Sequence, residues 1–195
     1  EGFAEVTGAV FGESSLMRSR ADLKGNWSRA DDWIAEAVIA FDSLSLGRFE
    51  FARGSGSVSY GSRGVGAFNV LMEGPSAETY ATEGAVEHDS LGVETAFRTL
   101  EIQIENDEWG LQMPTRVRFQ GSSIQTDEFR LVKSLSGVVV EGAPAVIEVR
   151  GTLDLEGTSD FEMDVSGMDL DRLAMVAQTE RLPSGIVDLD LSISG

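Results

Sequence analysis

The residue types that most often carry chemistry are sparse in this chain. His88 is the single histidine, and it lies in the polar segment Glu87-His88-Asp89. A histidine metal site or a Ser-His-Asp triad would have to rest on it alone. Cysteine is absent, which excludes disulfides and thiolate metal ligands. We therefore expect a solvated His88, no cofactor, no metal site and no enzymatic activity.

Carboxylates are abundant, and pairs of them could perform general acid–base catalysis. Many of them occupy every second position of an apolar stretch, a spacing that puts them on one side of a β-strand. Charges on that side keep a sheet soluble, so we interpret them as a solvated face. These carboxylates are Asp154, Glu156, Glu162, Asp164, Asp188 and Asp190.

The glycine-rich stretch Gly54-Ser-Gly56-Ser-Val-Ser-Tyr-Gly61 is similar to a phosphate loop in composition only. It lacks the GxGxxG and Walker spacings, and no helix follows to present a positive N-terminus. We predict a glycine-rich hairpin here instead.

The charge balance disfavours two classes of partner. Lysine and arginine number 15 against 33 acidic residues, a net charge of −18, which opposes binding to nucleic acid or to an anionic membrane surface.

No apolar run approaches the roughly 20 residues that span a bilayer, and no signal segment is present. The chain opens with Glu1 and ends in a strand pattern. We expect residues 1–195 to be one continuous β-repeat segment excerpted from a longer protein, with any inner-membrane anchor outside it.

Apolar residues alternate with polar ones along much of the chain, which predicts half-buried β-strands. The clearest segments, by their apolar members, are Leu100/Ile102/Ile104, Val117/Phe119, Ala145/Ile147/Val149/Leu153/Leu155, Phe161/Met163/Val165 and Val187/Leu189/Leu191/Ile193. Further strands are predicted near Phe3–Gly8, Trp33–Leu46, Phe49–Ala52, Val65–Met72, Glu78–Glu87, Phe129–Val132 and Val138–Glu141. The connections are short and glycine-rich, which favours an antiparallel meander. Only Leu170–Ala177 has helical spacing. The predicted fold is all-β.

The second half of the chain resembles a known family in the order of its segments. Trp109-Gly-Leu111-Gln-Met-Pro114 leads into a strand at Arg116–Phe119, and the order ends with Asp169-Leu170-Asp-Arg-Leu173 and the strand Gly185–Gly195. The intervening strands are Phe129–Leu131, Ala145–Leu155 and Phe161–Val165. This order resembles the AsmA-like superfamily, most closely the C-terminal region of TamB-type translocation and assembly module proteins. The match covers roughly residues 100–195, and residues 1–99 are similar in texture only.

The resemblance implies an elongated, curled antiparallel sheet, a β-taco, with an apolar concave groove. It implies a periplasmic protein of a diderm bacterium, tethered to the inner membrane, that carries phospholipid to the outer membrane. It also implies a role in outer-membrane protein assembly and secretion, with an Omp85-class outer-membrane barrel (TamA-like) as partner.

The residue pattern by itself also suggests a lipid conduit. An apolar stripe repeated on successive strands forms a continuous trough if the sheet curls, and a dozen strands would extend on the order of 58 Å. The expected groove residues are Ile147, Val149, Leu153, Leu155, Phe161, Met163, Val165, Val187, Leu189, Leu191 and Ile193. The alternative function is a structural or adhesive β-array whose apolar stripe is a closed dry core. The cargo also stays open, between phospholipid acyl chains and an unfolded barrel strand.

Overall fold

The computed structural model of the chain describes residues 2–11, 14–29, 32–46, 49–135, 144–170 and 184–195. These residues form thirteen β-strands. In chain order the strands are β1 (Gly2–Phe11), β2 (Ser14–Arg29), β3 (Asp32–Leu46), β4 (Phe49–Gly61), β5 (Val65–Glu73), β6 (Thr79–His88), β7 (Val93–Ile104), β8 (Asp107–Leu111), β9 (Thr115–Gln120), β10 (Ser123–Leu135), β11 (Val146–Asp154), β12 (Asp160–Asp169) and β13 (Ile186–Ser194). The all-β prediction is therefore confirmed.

All thirteen strands belong to one antiparallel sheet that follows the chain as a meander. The exception is at β8 and β9, which share one position between β7 and β10. β8 pairs with residues 101–104 of β7, and β9 pairs with residues 93–97 of the same strand. β1 and β13 are the two edges of the sheet. At about 4.8 Å between neighbouring strands, the sheet extends on the order of 55 Å from edge to edge.

Several strand predictions agree with the structure, and the others were too short or missing. The predictions near Trp33–Leu46, Val65–Met72 and Glu78–Glu87 match β3, β5 and β6. β2 was not predicted at all. The prediction of a glycine-rich hairpin at Gly54–Gly61 was wrong, because this stretch lies entirely within β4. The predicted strand Val138–Glu141 lies outside the described residues, as does the predicted helix after Leu170.

Bulges interrupt the pairing of β10 between Thr126 and Phe129, and that of β12 between Val165 and Met168. The bulge in β12 contains Gly167, whose φ of 63° is a left-handed conformation that glycine adopts without strain. A bulge bends its strand and increases the local twist. The thirteen-stranded sheet is curled.

Aromatic contacts show which face of the curled sheet is the inner one. Phe68 of β5 and Phe97 of β7 have ring centroids 6.1 Å apart, and Phe51 of β4 lies 5.8 Å from Tyr80 of β6. The strands in each pair are separated by a third strand, so their axes are about 9.6 Å apart. The rings of each pair meet across the intervening strand, so they lie on the same face of the sheet, and we call that face the inner face. This face therefore carries Phe68, Phe97, Phe51 and Tyr80.

Candidate functional site

The inner face of the sheet is apolar across its C-terminal half, as the strand register shows. Leu189 of β13 pairs with Val165, and Val165 pairs with Ile147 on its other side. Ile147 pairs with Leu131 of β10, which in turn pairs with Leu111 of β8. Residues directly opposite one another in adjacent strands point to the same face. One row of aliphatic side chains therefore crosses five strands.

The same face continues through the N-terminal half with smaller residues. Leu23 of β2 pairs with Ala37, and Ala37 pairs with Val58 of β4. Val58 pairs with Phe68, which pairs with Gly84 of β6. The two halves are joined by the successive partners Met72, Tyr80, Ile102 and Trp109. We call this continuous apolar inner face the trough.

All but one of the predicted groove residues lie on this inner face. They are Ile147, Val149, Leu153, Phe161, Met163, Val165, Val187, Leu189, Leu191 and Ile193. The exception is Leu155, because β11 ends at Asp154. The Asp154 carboxylate accepts hydrogen bonds from the backbone N–H groups of Glu156 and Gly157, which makes a turn. Leu155 lies in that turn with 77% of its surface exposed. Contact between these residues and a lipid stays a prediction.

Part of the trough is filled by its own side chains. Trp109 and Leu131 are buried together with Ala145, Val165 and Met168, and we call these five residues the packed cluster. Four of the predicted groove residues belong to this region. Val165 is 6% exposed, and Ile147, Met163 and Val187 pack against the cluster. At this end of β7–β13 the trough is a closed core.

Elsewhere the trough is open. Leu189, Leu191 and Ile193 on β13 are 46%, 39% and 38% exposed although they share the face of the buried Val165. In the N-terminal half the small inner residues leave a cavity of about 390 Å³. Its apolar lining includes Leu23, Gly25, Ala35, Ala37, Val58 and Tyr60. Among the described residues, the open part therefore lies at β1–β4 and at the β13 edge.

The surface area of the chain shows how much of the sheet lacks a covering layer. It exposes 12,709 Å², whereas a compact monomer of 20.9 kDa exposes about 9,000 Å². Stable domains bury the apolar face of a sheet against a second layer, and the described strands form a single sheet. A sheet without a second layer exposes both faces, and the described strands have this arrangement.

Two glycines on the inner face carry aromatic rings above them. The Phe41 ring lies where a side chain on Gly54 would be, and the Phe68 ring covers Gly84 in the same way. A β-carbon at either position would collide with the ring. The rings thus contribute apolar surface at Gly54 of β4 and Gly84 of β6, where the strands have no side chain of their own.

One charged group lies within the packed end of the trough. The Lys133 ammonium nitrogen is 2.9 Å from Asp107 Oδ2 and 3.1 Å from Asp169 Oδ2, and the side chains of Lys133 and Asp107 are only 15% and 8% exposed. Burial works to lower the pKa of Lys133, but hydrogen bonds and charge from the two carboxylates outweigh it and raise the pKa above its usual value. Sequence reasoning missed this group. Its signal is the spacing Phe129, Leu131, Lys133, which puts a lysine on the apolar row.

The outer face carries the ion pairs that link neighbouring strands, and in β3 and β5 it also exposes the apolar residues Ile34, Val38, Val65 and Leu71. Arg150 pairs with Glu162 and Glu148, and Glu148 also contacts Arg130. Similar cross-strand pairs join β4 to β5 through Arg53 and Glu73, and β6 to β7 through Glu83 and Arg98. Exposed pairs of this kind contribute little to stability, because water and salt screen the charges. Of the carboxylates that were interpreted as a solvated face, four lie here, namely Glu162, Asp164, Asp188 and Asp190. Asp154 is the last residue of β11, and Glu156 lies in the turn that follows it.

The described residues hold no group of three or more potential metal ligands. His88 is the exposed last residue of β6, where its backbone N–H donates to the Gly64 carbonyl. No helix in the described part of the chain has the length and hydrophobicity needed to cross a bilayer.

The fold and the trough define a class of architecture, a single curled antiparallel sheet with an apolar inner face. Comparison with known proteins adds no family to this description. No family model, no curated protein and no solved structure matches the chain.

Proposed function

We propose that this protein is a non-enzymatic carrier whose trough holds the acyl chains of phospholipids. One observation carries the proposal: the apolar inner face continues through the strand register from β2 to β13, and among the described residues it is exposed at β1–β4 and at the β13 edge. An apolar face of this size is unfavourable in water. An acyl chain lying in the trough would cover it and would itself be removed from water.

The gain from such binding is large. Removing a chain of about sixteen carbons from water stabilises the complex by roughly 12 kcal/mol, at about 0.8 kcal/mol per CH₂. The trough is open along one side, so a polar headgroup could stay in water while the tail lies against Leu23, Ala37 and Val58. Amphipathic cargo fits this arrangement better than a wholly apolar molecule.

The resemblance to TamB-type proteins extends the proposal. It supports a periplasmic location with a tether to the inner membrane, and transfer of phospholipid to the outer membrane. It also supports a role in outer-membrane protein assembly with an Omp85-class partner. These statements rest on the order of segments between residues 100 and 195.

The second candidate function is a structural β-array with a closed core. The packed cluster favours it, because Trp109 and Val165 are buried by neighbouring side chains without any cargo. The two candidates differ in what covers the open part of the trough. They can therefore be separated by experiments on β4 and β13.

Photocrosslinking would test the carrier directly. A photoreactive amino acid at Val58 faces the trough, and one at the adjacent Ser57 faces outward. We expect Val58 to crosslink to phospholipid in cells and Ser57 not to. Leu191 and Asp190 form a second matched pair on β13. Equal crosslinking from both members of each pair, or none from Val58 and Leu191, would contradict the proposal.

Arginine substitutions would separate an open trough from a closed core. In Leu191→Arg the guanidinium can extend into water from an exposed position, so we expect a folded protein that no longer transfers lipid. Val165→Arg is the control, because it puts an unpaired charge into the packed cluster and should unfold the protein. If Leu191→Arg also unfolds it, the structural array is the better description.

A further inference from the structure

The outer face of the sheet contains an apolar hollow of about 590 Å³ across β3–β6. Its walls include Ile34 of β3 and Val65 of β5, which are 51% and 49% exposed. Between them the sheet is low, because Ala67 of β5 is paired with Ala85 of β6. Ala67 precedes the inward-facing Phe68, so this space lies on the opposite face of the sheet from the trough. We call it the outer hollow.

Arg63 is the one charged residue among the described residues that line the outer hollow. Each of the other arginines whose side chains the structure describes forms an ion pair with an aspartate or a glutamate. Arg63 forms none with the described residues, although the chain has 33 acidic residues against 15 basic ones. Its guanidinium is therefore available to an anion from outside the chain, and its planar N–H groups match a carboxylate in geometry.

The turn that carries Arg63 is fixed by hydrogen bonds to two strands. The Ser62 N–H donates to the Trp33 carbonyl of β3 at 3.0 Å, and the His88 N–H of β6 donates to the Gly64 carbonyl at 2.7 Å. Gly64 has a φ of 75°, a left-handed conformation that favours glycine. Arg63 is thus held beside the outer hollow by backbone that need not move when a ligand binds.

The groups around the outer hollow narrow the class of ligand. β3, β4, β5 and β6 each have a hydrogen-bonded strand on both sides, so an extended peptide would find no free backbone ladder here. The outer hollow offers apolar surface and one cation instead. Its volume lies within the range of about 300–1,000 Å³ that is typical of small-molecule sites. An alkyl chain that ends in a carboxylate matches both the surface and the charge.

We propose that the outer hollow binds a fatty acid, with its carboxylate on the Arg63 guanidinium and its alkyl chain against Ile34, Val65 and Ala67. The apolar walls remove the chain from water. The guanidinium forms charge-assisted hydrogen bonds with the carboxylate. This site lies on the other face from the trough, so the inference does not depend on lipid transfer.

An NMR titration of the full 195-residue chain with dodecanoate would measure both affinity and location. Dodecanoate should shift the backbone amide signals of residues 59–67 and of Ala85. Dodecyltrimethylammonium has the same alkyl chain with a cationic head, and the net charge of −18 should attract it to the protein as a whole. It should nevertheless bind the outer hollow at least about 5-fold more weakly than dodecanoate, because it lacks the ion pair with Arg63.

Three variants separate the charge from the apolar surface. Arg63→Gln should weaken dodecanoate binding by about 2- to 5-fold. Arg150→Gln makes the same change in net charge on a distant part of the outer face and should have no effect. Ala67→Phe fills the outer hollow and should abolish the binding of both probes, whereas Ala40→Phe, on the outer face of β3 away from the outer hollow, should not.

Four outcomes would each overturn the proposal. The first is that amide shifts are confined to trough residues such as Leu23 and Ala37. The second is that the two probes have equal affinity for the outer hollow. The third is that Arg63→Gln binds dodecanoate as well as Arg150→Gln does. The fourth is that binding at the outer hollow survives in a folded Ala67→Phe variant.

Discussion

Replacing Lys133 with methionine should destabilise the protein by about 3 kcal/mol, the usual cost of leaving one member of a buried ion pair without the other. Lys133 and Asp107 are both largely buried, and their charged atoms are 2.9 Å apart. In Lys133→Met the Asp107 carboxylate would stay in the same apolar surroundings without the cation that now faces it. Asp169 should matter less, because its side chain is 43% exposed and water can solvate it.

The double variant Asp107→Leu/Lys133→Met should recover most of the lost stability. Replacing both members of a buried pair by apolar residues of similar size is often neutral or stabilising. The pair lies beside Trp109 in the register of β8 and β10, so apolar replacements would extend the packed cluster. The comparison of single and double variants separates the cost of an isolated charge from a cost in packing.

The pH dependence gives an independent check on the same group. Because the folded state raises the pKa of Lys133, its contribution to stability is fully present below the unfolded pKa of about 10.4. That contribution is lost as the pH rises through the folded pKa. Stability should therefore fall in the alkaline range above about pH 10.4 in the native protein, and this particular loss should be missing from Lys133→Met.

Urea unfolding would measure these effects, followed by circular dichroism and by tryptophan fluorescence, to which the buried Trp109 contributes. The reasoning would be refuted if Lys133→Met changed the free energy of unfolding by less than about 0.5 kcal/mol, the range of ordinary surface substitutions. It would also be refuted if the double variant were less stable than the single one.

Two further predictions concern backbone geometry and acid stability. Gly151 has a φ of 97° and its β-carbon position meets the Asp160 carbonyl, so Gly151→Ala should cost about 2–3 kcal/mol in thermal unfolding. Gly110→Ala, which meets nothing, should stay within about 0.5 kcal/mol, and equal effects would contradict this account. Backbone N–H groups lower the pKa of Asp89 and of Asp154, so each carboxylate stabilises the fold above about pH 4 and loses that effect as the pH falls through its folded pKa. Asn variants should therefore be less stable than the native protein at pH 7 but nearly equal to it at pH 2, and a difference independent of pH would contradict this.

The amino-acid sequence determined the fold class and the two faces of the sheet. Apolar residues alternate with polar ones around Leu189, Met163 and Val149, and this spacing puts all the apolar side chains on one side only if the segment is a β-strand. Where the inner residues are large and aliphatic, the strand is visible from sequence. β2 could not be predicted from the sequence because its inner positions include Ser19, Ala21 and Gly25. These residues are too small or too polar to form a recognisable apolar pattern.

Only the tertiary structure decided which apolar residues are covered. Val165 and Leu189 have the same alternation and face each other, yet one is buried and the other is nearly half exposed. Val165 has a strand on both sides and the packed cluster above it, while Leu189 lies on an edge. The Lys133 group was hidden for the same reason, because Asp107 and Asp169 lie far from it in sequence and meet it only when the sheet assembles. The alternation of apolar and polar residues determines which face of a strand a side chain lies on. Whether that side chain is buried depends on which other residues of the folded chain pack against that face.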